Sequence, residues 1–149
     1  MVLNVKTANA LAFMLILILV GIFGVSAVLQ FATKIGNTAT IKTVGVGVFE
    51  NVNCTVPLTS IDWGFLQPGQ IANYSAYVLS ESNVPITLSM YTADWNPANA
   101  SEFIALTWNY AGKTISPHAS IPVTFSLAVN ASISGISTFS FDLWIVGSG

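Results

Sequence analysis

Between Ala10 and Leu29 the chain reads ALAFMLILILVGIFGVSAVL, twenty residues with no charged side chain and only Ser26 carrying a hydroxyl. As an α-helix this run is about 30 Å long, the thickness of a bilayer's hydrocarbon core. A helix satisfies its backbone polar groups internally, as lipid requires. A buried core helix is the competing reading, but nothing downstream is helical enough to wrap one. The run therefore predicts a transmembrane or signal-anchor helix over residues 10–29, after a short N-terminal segment of residues 1–9 and before a linker of residues 30–39. One alternative is a secretory signal with Lys6 as its basic region and cleavage at Val25-Ser26-Ala27. Another is a leader cut near Lys6, Thr7 and Ala8, which leaves the apolar helix at the new N-terminus to pack in a filament core. Lys6 and the amino terminus on one side offset Lys34 and Lys42 on the other, so lysine placement does not choose the orientation.

The asparagines bear on it. Asn-x-Ser/Thr sequons without a middle proline occur at Asn53, Asn73, Asn99 and Asn130, all downstream of the apolar run. They support an extracytoplasmic C-terminal part and are candidate glycosylation sites. Unmodified asparagines in surface turns are the plainer reading, since the chain is rich in Asn, Ser and Thr.

Charge excludes several classes. Charged residues make up 7% of the chain, against roughly 25% in soluble domains. Four lysines and no arginine face six acidic residues, so no cationic stripe can neutralise phosphates and no nucleic-acid partner is expected. Disorder needs low hydrophobicity, whereas 53% of this chain is hydrophobic. The single Cys54 excludes an internal disulfide framework and a cysteine zinc cage.

Beyond about Gly36 the pattern changes to short runs of Val, Ile, Thr and aromatic residues separated by Gly, Pro, Asn and Ser. Seven strands are predicted: 41–49, 59–63, 71–79, 86–93, 104–110, 121–129 and 139–146. Alternation puts Ile104, Leu106 and Trp108 on one face, as it does Ile86, Leu88 and Met90, and Phe139, Phe141 and Leu143. Trp144 falls on the polar side of the last strand. Gln67-Pro68-Gly69-Gln70 suits a type II turn, Ala111-Gly112-Lys113 a hairpin tip, and Pro97 the start of one helical turn. The expectation is an all-β fold, a seven-stranded immunoglobulin-like sandwich over residues 40–149.

Ile61-Asp62-Trp63-Gly64-Phe65-Leu66-Gln67-Pro68-Gly69, Asn83-Val84-Pro85-Ile86-Thr87-Leu88, Trp95-Asn96-Pro97 and Ile133-Ser134-Gly135-Ile136-Ser137-Thr138-Phe139-Ser140-Phe141-Asp142 carry a resemblance. Over about Thr59 to Val146 the chain resembles small immunoglobulin-like modules of archaeal and bacterial surface proteins. The Trp-Gly-x-Leu-x-Pro-Gly pattern is its most specific part. An apolar helix followed by a β-sandwich is also similar in layout to archaeal pilin-like filament subunits. The resemblance implies a binding or structural role without catalysis, and carries over no functional residues.

Reactive groups are sparse. His118, the one imidazole, lies in the turn-like Ser116-Pro117-His118-Ala119-Ser120. Asp62, Asp94, Glu102 and Asp142 are scattered, with no recognisable metal motif. A hydrolase using His118 is the least favoured reading, and no catalytic, cofactor or metal residue is assigned. Cys54 is read as a small half-buried residue, with pairing between chains as its alternative. Trp63, Trp95, Trp108 and Trp144 serve packing first, and a ligand-stacking set second. Val44-Gly45-Val46-Gly47-Val48 is a strand bare on one face, read as the first strand of its own domain or as a segment donated to a neighbour's sheet.

The expected protein is a non-enzymatic cell-surface domain held to the membrane through residues 10–29 and acting in adhesion or surface assembly. Its expected partners are further copies of itself, a surface protein or a glycan. A homopolymeric extracellular filament subunit is the runner-up.

Overall fold

The computed structural model describes residues 36–149. The expected helix over 10–29, segment 1–9 and residues 30–35 of the linker lie outside the described residues. Eight strands follow one another: β1 (Gly36–Val44), β2 (Val46–Phe49), β3 (Ser60–Asp62), β4 (Ile71–Ser80), β5 (Thr87–Asn96), β6 (Ile104–Trp108), β7 (Ser120–Val129) and β8 (Thr138–Ser148). A 3-10 turn, Ala98–Glu102, joins β5 to β6. The strands form two sheets, β3-β1-β8-β5 and β2-β4-β7-β6, which make an all-β sandwich.

Period-two alternation builds the core between them. Val123, Phe125, Leu127 and Val129 of one sheet and Phe139, Phe141, Leu143 and Ile145 of the other are buried. Burying a side chain of this size stabilises the fold by about 1.5–3 kcal/mol. The expected apolar faces of β5, β6 and β8 all point inward, and Trp144 lies on the outer face. Ile61, Trp63 and Leu66 of the Trp-Gly-x-Leu motif close one part of the core. An Asp62 carboxylate oxygen accepts the Gly64 N–H at 2.8 Å and turns the chain between them.

The first strand is where expectation and structure part. Residues 41–49 do not form one strand. Gly45 takes φ +69°, so β1 ends at Val44 in one sheet and β2 starts at Val46 in the other. Strands among the described residues therefore number eight, not seven. β1 begins at Gly36, so residues 36–39 belong to a strand and the sandwich starts before residue 40.

Two smaller corrections have local causes. β5 continues past Ala93 to Asn96 because a bulge between Ala93 and Asn96, with Asp94 at φ +54°, absorbs the irregular residues. Ala111-Gly112-Lys113 is not a tight hairpin tip. It belongs to an excursion, residues 109–119, in which Ile115 leaves to bridge Ile86. The type II turn is present: Gln70 N–H donates to Gln67 O at 3.0 Å and Gly69 has φ +81°. Pro97 precedes the 3-10 turn as expected.

Register defines two ends of the sandwich. One gathers the start of β1 opposite the start of β8, the end of β5, and the start of β4 opposite the end of β7. The other holds the Gly45 corner and the connections 81–86 and 109–119.

Candidate functional site

β1 occupies an unusual position. It runs parallel to β8 from Gly36↔Thr138 to Val44↔Val146 and antiparallel to β3, whereas every other strand pair among the described residues is antiparallel. It thus fills a slot inside the sheet. On its inward side Ala39 is buried, Ile41 is partly buried, and Asn37 is only 5% exposed. Both the Oδ1 and Nδ2 atoms of Asn37 are buried without a hydrogen-bond partner. A cavity of about 450 Å³ adjoins this end of the strand, lined by uncharged residues including Asn37, Asn96, Pro97 and Phe139. The motif reading missed Asn37. Its signal was the two-residue spacing from Ala39 and Ile41, which places it on the core face.

The five residues expected to donate a strand are divided by the corner. Val44 closes β1 and Gly45 makes the turn. Val46, Gly47 and Val48 pair with β4 of the same chain. Val46 and Val48 are buried, and a Cβ on Gly47 would lie 2.6 Å from the Phe49 ring, so the glycine accommodates that ring. The bare face of the strand is thus covered by its own neighbour.

All four sequon asparagines are exposed. Asn73, Asn99 and Asn130 lie toward the end of the sandwich where β1 begins. Asn99 is in the 3-10 turn, and Asn130 directly follows β7 and donates its backbone N–H to Phe103 O at 2.7 Å. Asn53 sits in the loop after β2, whose course is held by the side-chain Oδ1 of Asn51 accepting the N–H groups of Thr55 and Val56. Asn73 differs. It stands within β4 opposite Ser126, and its Oδ1 accepts the Ser126 hydroxyl at 2.7 Å. In the Asn130 sequon, the Ser132 hydroxyl donates to Asn130 Oδ1 at 2.9 Å, which engages the carbonyl and not the amide nitrogen.

The four tryptophans do not converge. Trp63 is buried edge-on to Tyr74, Trp95 stacks on Phe141 with centroids 4.3 Å apart, and Trp108 packs beside Phe125 and Tyr110. Trp144 alone lies on an outer face, parallel to the exposed Tyr91 across the β5–β8 ladder. Burial, with a smaller contribution from Glu50, raises the Tyr74 phenol above 10.0.

His118 is exposed, with φ +57°, at the third position of a turn closed by Ala119 N–H to Ser116 O. Proline before a residue of positive φ is the type II pattern, so this histidine shapes a turn. Cys54 is half-buried with a free thiol. Among the described residues, no three His, Cys, Asp or Glu side chains gather where a metal ion could bind. No helix among them is long and apolar enough to cross a membrane.

No protein-family model matches the chain, and no curated protein matches it.

Proposed function

We propose that this chain is a non-enzymatic cell-surface protein, anchored through residues 10–29, whose immunoglobulin-like domain lies outside the cytoplasm and acts in adhesion or surface assembly. The observation that carries the reading is that all four sequons downstream of the apolar run are exposed on the sandwich. An immunoglobulin-like identity is supported by strand order. Counted from β2 and leaving out β3, the sheet β2-β4-β7-β6 follows the A-B-E-D order, and β5 beside β8 supplies C and F. The expected layout, an apolar helix followed by a β-sandwich, resembles that of pilin-like filament subunits.

The test is topological. In intact cells producing the full chain, a membrane-impermeant thiol reagent should label an exposed cysteine such as Asn83→Cys in a Cys54→Ser background, and the protein should sediment with membranes. Labelling only after lysis would overturn the reading. A homopolymeric filament subunit is the second reading, favoured by the position of β1: a strand seated parallel to β8 inside the sheet and joined to β2 through Gly45 alone suits assembly more than isolated display.

A further inference from the structure

In the A-B-E-D and C-F-G arrangement the seventh strand, G, follows F in the chain and lies beside it. Here β8 is the F strand, and β1 and β5 are its two neighbours in the sheet. The G place is taken by the first described strand, β1, lying parallel to β8. The sandwich from β2 onward is therefore a six-strand frame with a small added strand, β3, and an N-terminal strand completes it.

The link between that strand and the frame is a single residue, Gly45, at φ +69° with no atom within 4 Å of a Cβ built on it. Very short connections that fold a strand back favour exchange between copies, because opening the hinge relieves the constraint while every strand contact is remade in the partner. Extended backbone at Gly45 would join β1 and β2 into one run, which matches the continuous strand that the alternation of residues 41–49 predicts. Among the described side chains on its inward side, β1 offers the core Ala39, the partly buried Ile41 and the unpartnered amide of Asn37.

We propose that β1 is an exchangeable strand, donated by one copy of this chain to the G place of the next, between that copy's β3 and β8. The occupant is the Gly36–Val44 segment of a second copy, and the exchanged contacts keep the register seen within one chain. This deepens the surface-assembly reading by naming its partner and its joint, and it moves the donated segment from residues 44–48 to residues 36–44.

Thr38 and Ser140 are register partners on the outer face, and neighbouring strands lie at a spacing a disulfide can bridge. Two full-length chains, Thr38→Cys and Ser140→Cys, each also Cys54→Ser, would be co-expressed and oxidised. Exchange predicts a disulfide-linked heterodimer that shifts to dimer mass on a non-reducing gel. Thr38→Cys paired with Thr107→Cys, on the other sheet, should give none. The double variant Thr38→Cys/Ser140→Cys should give linked multimers, and inserting Gly-Asn-Gly after Gly45 should convert them to internally linked monomers. Overturning results are internally linked monomers from the uninserted double variant with no heterodimer, or heterodimer no more abundant than in the control pair. Surface labelling of intact cells is read separately. Heterodimers without labelling would leave exchange standing and remove the surface reading, and labelling without heterodimers would do the reverse.

Discussion

Asn37 shows how a single side chain can oppose the fold it belongs to. A buried amide with neither end paired costs about 1–3 kcal/mol, so Asn37→Leu, of similar shape, should raise stability by about 1 kcal/mol or more in denaturant unfolding of the full chain. An unchanged or lower midpoint would mean that the amide is satisfied in solution. Tyr74 makes the opposite kind of prediction. Its pKa is raised by burial and, less, by Glu50, so the folded state holds this proton more tightly than the unfolded one. The associated stability is complete below the ordinary value of 10.0 and falls as pH rises through it toward the folded pKa. Tyr74→Phe should flatten that alkaline decline in a series of unfolding curves. Among the sequons, the ladder and the Ser126 hydroxyl bond hold Asn73 in β4, whereas Asn53, Asn99 and Asn130 sit in turns or loops. Glycopeptide mass spectrometry of protein purified from its native source should find glycan on those three and none on Asn73. The motif marks all four alike, and only the strand pairing separates them.

Strands were legible wherever alternation met a well-defined turn. β4, β6, β7 and β8 lie close to their expected positions because one apolar face is buried, and a slip of one residue would expose it. Phe125, fully buried on β7 between β4 and β6, is a test of that logic. Phe125→Ala should cost about 3–5 kcal/mol in denaturant unfolding, and a cost below 1 kcal/mol would mean that the sheets do not meet as described. The region 36–49 was misread for a physical reason. Alternation records which faces are apolar but not which sheet each half joins, and glycine permits an extended residue and a corner alike. The corner is fixed by distant partners, Ser80 for Val46 and Val146 for Val44. The same limit applies to residues 109–119, where Ile115 follows its apolar character to Ile86 instead of closing a hairpin.

At the scale of the molecule, residues 36–149 carry Lys42 and Lys113 against all six acids, and their solubility rests on Ser, Thr and Asn. A surface with so few charges has little to desolvate when it meets another copy. A chain beginning at residue 36 contains both sheets and should unfold in one cooperative transition with coincident fluorescence and circular-dichroism curves; two separate transitions would show that the sheets are not one unit. The sequence by itself determined the charge-poor surface, the all-β class, most strand positions and the type II turn, because these depend on local alternation, proline geometry and glycine's access to positive φ. Tertiary structure decided the split of the first strand, the parallel seat of β1 beside β8, the burial of Asn37, the dispersal of the tryptophans and the distinction of Asn73 from its fellow sequons. Each of these depends on partners far along the chain, which no local pattern encodes.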